Sequence, residues 1–529
     1  MKRGEVARNF SRGAFFLGLE KGIGLVSTLF YSALIARWLG PTKYGMFTLA
    51  FSIVTLATAF TGNFEVYLER YAAEYQVRDR LRTLRHAFGL ALGLKLALGL
   101  AASVVLVGLA SRFAALYRIP ELAVLLPLLI AFIATDGLAT TGRSLLFGLQ
   151  HFEWVSGLSL ILNIGRTVLV AVLWRARQGL PALAIGLSAL TVLQAAVICV
   201  AAFALLARAR RARPPDLGAE PEPERGLLRQ MLGYCAPLYG ANLSFLSGQN
   251  LGKLVLGMVI DPTSLGYFSF AFGTLEKFVE IAHAVPRALL PSLTQLVALG
   301  DRQRLHYVFD QAYRLVQVLS CALSFALFVY AREITLLVGS PLFEPAVPLL
   351  RVLALVPLAR TAQQPLTMLF QAARRPGYVL SLALVKLLAE VAGYFALLLT
   401  FGAVGACWAN VGGAVASFAG ALLLAAAVLP EGTAERASVV LRSLLLMAPA
   451  LGLSMAASHW LGRDASVAVR VLLAAPAVLG VFALGLVNRY DLEKLSGLPL
   501  PSAALGRARD AVVRGADQLI RAFEPRGAA

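Results

Sequence analysis

The chain has 529 residues, of which 58% are hydrophobic and only 15% charged, with a mean hydropathy of +0.73; this lies outside the range of soluble globular domains and places the chain in lipid. The net charge of +19 does not call for a nucleic-acid partner, because membrane proteins gather Lys and Arg in their cytoplasmic loops. Cys199, Cys235, Cys321 and Cys407 stand singly in apolar runs, and neither they nor the histidines have metal-ligand or redox spacing, so no metal and no cofactor is expected.

The first apolar run, from Ala14 to about Ala36, lacks the short core and cleavage site of a secretory signal and is long enough to cross a bilayer, so it is expected in the mature protein. Further runs begin near Tyr44, Ala87, Glu121, Trp154 and Pro181, then near Leu227, Thr263, Ala312, Pro345, Gly377 and Phe401, with a last pair near Ser438 and Ser466. The reading is an all-α integral membrane protein of about 14 transmembrane helices, two six-helix parallel repeats plus a C-terminal helix pair. Its divisions are an N-terminal bundle over 1–207, a cytoplasmic linker over 208–226, a second bundle over 227–429, the extra pair over 438–487, and a basic tail over 488–529. With the N-terminus in the cytoplasm, most Lys and Arg fall in inner loops, which predicts that both termini are cytoplasmic. Three inner segments carry that charge. Glu69 to His86 reads as an amphipathic helix at the headgroups, Arg208 to Arg229 as an extended Pro- and Glu-rich linker, and the tail as a surface helix or a disordered extension.

The organisation as a repeat comes from one echo. Leu39-Gly40-Pro41-Thr42-Lys43-Tyr44-Gly45-Met46-Phe47 returns 221 positions later as Ile260-Asp261-Pro262-Thr263-Ser264-Leu265-Gly266-Tyr267-Phe268. Both copies lie between long apolar runs, so each is the turn of a helical hairpin.

Arg37-Trp38-Leu39-Gly40-Pro41-Thr42-Lys43-Tyr44-Gly45, Leu68-Glu69-Arg70-Tyr71-Ala72-Ala73-Glu74-Tyr75 and Leu146-Phe147-Gly148-Leu149-Gln150-His151-Phe152 resemble the polysaccharide flippases of the multidrug/oligosaccharidyl-lipid/polysaccharide exporter superfamily, the bacterial O-antigen and exopolysaccharide translocases. The resemblance runs through roughly the first twelve spans and rests on motifs that are diffuse singly but ordered and spaced together. It implies two six-helix bundles facing a cavity and rocking between inward-open and outward-open states. It also implies location in the bacterial inner membrane, a lipid-linked oligosaccharide as cargo and a polysaccharide polymerase as a partner. The chain departs from the pattern in its extra helix pair, in lacking an arginine-rich first helix, and in placing Leu251-Gly252 before Lys253 where relatives often have an acid.

Charges inside the spans are the candidate functional residues, because a charge in mid-membrane costs a few kcal/mol unless it faces water or a partner. Lys21, Arg143, Arg166, Lys253 and Arg360 are the candidate cations for a pyrophosphate headgroup, Arg by its bidentate fork and Lys as a compact charge. Glu20 and Asp136 are the candidates for proton coupling. Glu20 and Lys21 point about 100° apart and cannot easily bridge each other, whereas Lys386 with Glu390 and Lys277 with Glu280 have helical pair spacing. Asp136 and Arg143 share a face, Arg166 has Lys386 as its rough counterpart in the second repeat, and Lys95 is read as snorkelling to the interface. Gly89, Gly93, Gly402, Gly405, Gly412 and Gly413 are read as packing positions. Prolines concentrate in the second half, which is expected to bend more.

The leading function is transfer of an undecaprenyl-pyrophosphate-linked oligosaccharide across the inner membrane, with no bond made or broken. Lipid II transfer and ion-coupled export of a small molecule stay open as alternatives. A membrane-embedded glycosyltransferase ranks lower because every predicted outer loop is short, and a nucleotide-driven pump lower still because no phosphate-cradling loop is present.

Overall fold

A computed structural model describes residues 3–149, 151–211, 226–287, 289–430, 432–460 and four residues of the tail. Residues 212–225 of the linker, the predicted fourteenth helix and nearly all of the tail lie outside the described residues, while 208–211 continue the helix before the linker and 227–229 begin the helix after it, so those ends are helical and not extended. The helices, in chain order, are α1 (Arg3–Ala59), α2 (Glu65–Val77), α3 (Leu81–Tyr117), α4 (Leu122–Leu128), α5 (Ile130–Gly148), α6 (Phe152–Arg175), α7 (Leu180–Arg211), α8 (Leu227–Val259), α9 (Pro262–Arg287), α10 (Leu290–Leu299), α11 (Arg302–Val329), α12 (Ala331–Val338), a 3₁₀ turn at Pro341–Ala346, α13 (Val347–Leu353), α14 (Val356–Arg360), α15 (Gln364–Ala372), α16 (Pro376–Val428) and α17 (Thr433–Trp460). No strand occurs among the described residues, and eight spans are long and apolar enough to cross a membrane. It is a multi-pass membrane protein.

Two long helices contain hairpin turns with almost no loop. In α1 the direction changes at Gly40 (φ 67°, ψ 174°) and in α16 at Gly402 (φ 55°, ψ −137°). Both lie in backbone territory that a Cβ makes costly. At Gly40 the following proline also removes the donor that would continue the ladder. Gly402 is thus a turn residue, Gly89, Gly93 and Gly412 meet nothing within 4 Å, and among the described positions of that set Gly413 is the one packed closely, against Glu390 and the Lys386 carbonyl. The packing reading holds for Gly413 and fails for Gly89, Gly93 and Gly412, because a small residue gains nothing where no helix approaches.

The chain divides into two compact units, one of Met1–Phe270, Thr335–Ala346 and Leu398–Ala406, the other of Ala271–Ile334, Val347–Leu397 and Cys407–Ala529. In the first, α5 packs between α3 and α7, and α1 runs along α6 and α8. Its core runs through Tyr67, Leu68, Leu84, Phe88, Leu145, Leu146 and Met231. Large apolar side chains such as Val104, Ile161, Val172 and Val200 face outward, as helices in hydrocarbon require. The segment Glu69 to His86 is not one surface helix: α2 ends at Val77, a turn follows, and α3 begins at Leu81. Tyr67, Leu68, Ala72 and Tyr75 of α2 are buried in protein, so its apolar face is taken by neighbouring helices rather than by lipid.

In the second unit α11 packs on α17, α14 and α10. The join to α17 is polar: Asp310 takes His306 Nδ1 at 2.6 Å and Arg436 Nε at 3.4 Å, and Arg436 also donates to the Leu429 carbonyl at 2.6 Å. The segment 341–372 is broken into four short helical pieces, each entered near Pro341, Val347, Pro357 or Pro365, whereas α4 and α5 part only beyond Pro127. The proline-rich second half is therefore the more bent.

The two copies of the repeated turn meet inside the first unit. A Cβ on Gly45 would strike the Pro262 carbonyl and come within 2.8 Å of the Gly266 nitrogen, and one on Gly266 would strike the Pro41 carbonyl and lie 2.8 Å from its carbon. The two hydroxyls of Thr42 and Thr263 are 2.8 Å apart. The pairing is reciprocal, as a twofold repeat demands. Around it Phe343, fully buried, meets Phe270 at 4.6 Å, Tyr44 at 5.8 Å and Tyr267 at 6.2 Å. Arg37 donates to the carbonyls of Gly339 at 2.7 Å and Leu337 at 2.5 Å, closing the exposed end of α12. Asp261 starts α9 by accepting from the backbone N–H groups of Thr263 and Ser264, each at 3.0 Å, with Pro262 at the first helical position.

Gly266→Ala is expected to part the two turns and to lower sharply the yield of a disulfide between Thr42→Cys and Thr263→Cys, read by gel shift after mild oxidation; an unchanged yield would refute the close contact. Partial burial works against the Asp261 charge, but hydrogen bonds from Ser264 and Thr263 outweigh it and hold the carboxyl below its usual range. A depressed carboxylate stabilises the fold above its unfolded value of about 3.9 and loses that contribution as pH falls through the folded value. Asp261→Ala should therefore cost about 1 kcal/mol near pH 7, and the gap to wild type should narrow below about pH 4, both read by thermal unfolding.

Candidate functional site

Two of the buried clusters of charge, one in each unit, hold residues singled out by the sequence. In the first, Lys95 of α3 is 4% exposed, and its ammonium sits 2.9 Å from Glu65 Oε2 and donates to the Gly62 carbonyl at 2.7 Å. Lys95 does not snorkel. Its stem lies against Gly137 of α5, which directs the ammonium to the turn before α2, where a carboxylate and a carbonyl replace its water shell. Glu65 escapes a hydropathy reading because it lies in the polar stretch between two spans; only the folding of α2 back onto the bundle brings it to Lys95.

Next to this pair the sequence candidates converge. Asp136, one residue before Gly137, lies within electrostatic reach of Arg166, Arg143, Lys95 and Glu65, in falling order of effect among those charges. Arg166 of α6 donates to Gln194 Oε1 of α7 at 3.4 Å, and Gln194 is itself buried. Helix α1 closes the cluster on one side, with Ser27 and Thr167 hydroxyls 3.4 Å apart and Asn163 beside Gly24. Two helices, α5 and α6, thus bring Asp136, Arg143 and Arg166 together. Lys253, on α8, is half-buried. The side chains of Glu20 and Lys21 lie outside the described residues.

In the second unit the guanidinium of Arg360 makes a two-pronged pair with Glu276, one prong being Nη2 to Oε2 at 3.0 Å. Lys386 pairs with Glu390 at 2.7 Å, the i,i+4 pair its spacing predicts, and Glu390 is 1% exposed. Arg360 also feels Glu390, so Glu276, Arg360, Lys386 and Glu390 form one balanced group. Arg360 and Lys386 are therefore both engaged by acids. The pair Glu276–Arg360 is invisible in sequence because 84 residues separate its members.

The sequence pattern of a family described as polysaccharide biosynthesis protein matches residues 34–348, more than half of the chain. The chain belongs to the polysaccharide biosynthesis protein family. No curated protein sequence matches it. Among solved structures, this polysaccharide biosynthesis protein is similar to the lipid II flippase MurJ in an inward closed conformation, at 13% identity and a TM-score of 0.65 over 91% of this chain and 100% of that one. It is similar also to a MATE family multidrug resistance transporter of the MOP superfamily, at 14% identity and a TM-score of 0.61 in its inward-facing form, over 78% of this chain and 95% of that one. The outward-facing form of a MATE family transporter gives 16% identity and a TM-score of 0.53, over 79% and 95%. At such identities the likeness establishes the fold alone, and the buried clusters lie within that fold.

Lys95→Met leaves Glu65 without its cation and should destabilise the purified protein by about 3 to 5 kcal/mol, while Lys95→Met with Glu65→Gln should regain most of that loss. Thermal unfolding in detergent distinguishes this from an independent role for each residue, in which the two losses would add.

Proposed function

We propose that this chain is a flippase that moves an undecaprenyl-pyrophosphate-linked oligosaccharide from the cytoplasmic to the outer leaflet of the bacterial inner membrane, for cell-surface polysaccharide synthesis. The observation that carries the reading is the charge of the first cluster. Arg143 and Arg166 stand within electrostatic reach of Asp136 inside the bundle. Arg presents the planar fork that phosphate oxygens accept, so two arginines buried in a membrane protein suit an anionic cargo. In this reading Arg143 and Arg166 receive the pyrophosphate, with Lys21 and Lys253 assisting. Arg360 joins only by exchanging Glu276 for the cargo.

The same reading gives the cycle. Both termini lie in the cytoplasm, as the Lys and Arg bias favours, and the repeated turns at Gly40 and Asp261 lie on the outer side. Contact between those turns, with Phe343 and Arg37 around it, is the outer closure, and alternating access requires it to part. Asp136, held among three cations, or Glu20 supplies the proton site that resets the carrier, and a polysaccharide polymerase receives the product. Ion-coupled export of a small molecule is the second reading, favoured by the buried carboxylates Asp136 and Glu390.

The test is leaflet-resolved accessibility of a fluorescent polyprenyl-pyrophosphate oligosaccharide in liposomes with wild type and with Arg143→Ala/Arg166→Ala. Protein-dependent transfer that drops at least tenfold in the double variant is expected. Transfer at the wild-type rate would reject the cation site, and none by folded wild type would favour the exporter. Collapse of a proton gradient should slow transfer; indifference to it would remove Asp136 and Glu20 from the cycle.

A further inference from the structure

A groove of about 850 Å³ runs between α1 and α6, lined by Phe30, Leu34, Trp38, Val168, Trp174 and Arg175, and at one end by Arg177 and Gln178. Its depth in the bilayer follows from α6 alone. Trp154 and Trp174 stand twenty residues apart on one continuous helix, about 30 Å at 1.5 Å per residue, which equals the hydrocarbon thickness. Tryptophans at that spacing mark the two interfaces. The Trp174 end of the groove therefore lies at headgroup level, and Phe30, Leu34 and Val168 lie along the acyl chains.

The lining is graded in the way a lipid is. Arg175 and Arg177 form the lip, both are exposed, and among the described residues neither guanidinium is held in an ion pair. No acid lines the groove. Trp38 and Trp174 flank the lip, and the wall below is apolar and open to the bilayer, with Phe30 61% and Val168 54% exposed. Thr167 in its wall lies 3.4 Å from the Ser27 hydroxyl of α1.

We propose that this groove binds an anionic phospholipid of the leaflet at the Trp174 end, its phosphate held by Arg175 and Arg177 and one acyl chain laid over Phe30, Leu34 and Val168. Two cations with no neighbouring acid favour an anionic over a zwitterionic headgroup. The wall's exposure on the outside of the helix pair favours a resident lipid over the carried one. A lipid seated there braces α1 against α6 next to Arg166. Naming the leaflet as the outer one rests on the orientation given under the proposed function; the binding site itself does not.

Brominated acyl chains quench nearby tryptophans, so the full-length protein is reconstituted in vesicles with increasing brominated phosphatidylglycerol or brominated phosphatidylcholine. The quenching component that disappears in Trp174→Phe is expected to saturate at a several-fold lower mole fraction of the glycerol lipid. In Arg175→Gln/Arg177→Gln the two curves should coincide. Coincident curves in wild type, or selectivity unchanged in the double variant, would overturn the proposal. So would relief of the quenching by a trace of polyprenyl pyrophosphate, which would make the groove a site for the carried lipid. The readout needs no transport, so its failure and a failure of flipping are separate results.

Discussion

Much of the first unit depends on two glycines that let the repeated turns touch through bare backbone. At Gly45 and Gly266 each turn presents an uncovered Cα to the proline carbonyl of the other. Only a residue without a side chain allows this approach. Once the turns are in contact, the rest follows by steric necessity. Thr42 meets Thr263, Tyr44 and Tyr267 enclose Phe343, and Arg37 reaches the carbonyls that end α12. The same glycine at 40 that turns α1 back on itself sets the position of Pro41, whose carbonyl is one side of the contact.

This contact is made through bare backbone rather than through paired charges. Backbone contacts through glycine are weak individually, on the order of 0.5–1 kcal/mol for each Cα–H to carbonyl approach. The buried ion pairs elsewhere behave differently. Separating Lys95 from Glu65, or Arg360 from Glu276, strands a charge in low dielectric and costs several kcal/mol. The strong electrostatic pairs therefore stiffen the interior of each unit, and the weaker contact lies between the repeated turns.

The charges also divide by task. Glu276, Arg360, Lys386 and Glu390 balance within the second unit, and the Asp310, His306 and Arg436 set ties α17 to α11. Such groups hold a fold without attracting an ion. Around Asp136 the charges come from neighbouring helices, with Arg166 and Arg143 acting most strongly on its carboxylate.

Composition and apolar runs determined the class of this protein, because a bilayer accepts only helices of fixed minimum length and few charges. The echo of Gly-Pro-Thr and Asp-Pro-Thr determined the duplication, and helical spacing determined the Lys386–Glu390 pair, since both are local in the chain. Tertiary structure decided the partners of Lys95, Arg360 and Arg166, which come from helices far away in sequence. It also divided Glu69–His86 between two packed helices joined by a turn, and showed that Gly89 and Gly93 face open space. Hydropathy measures how a residue partitions between lipid and water, so it places Lys95 at a depth but not beside Glu65; which groups share a buried site is fixed only when the helices choose their neighbours.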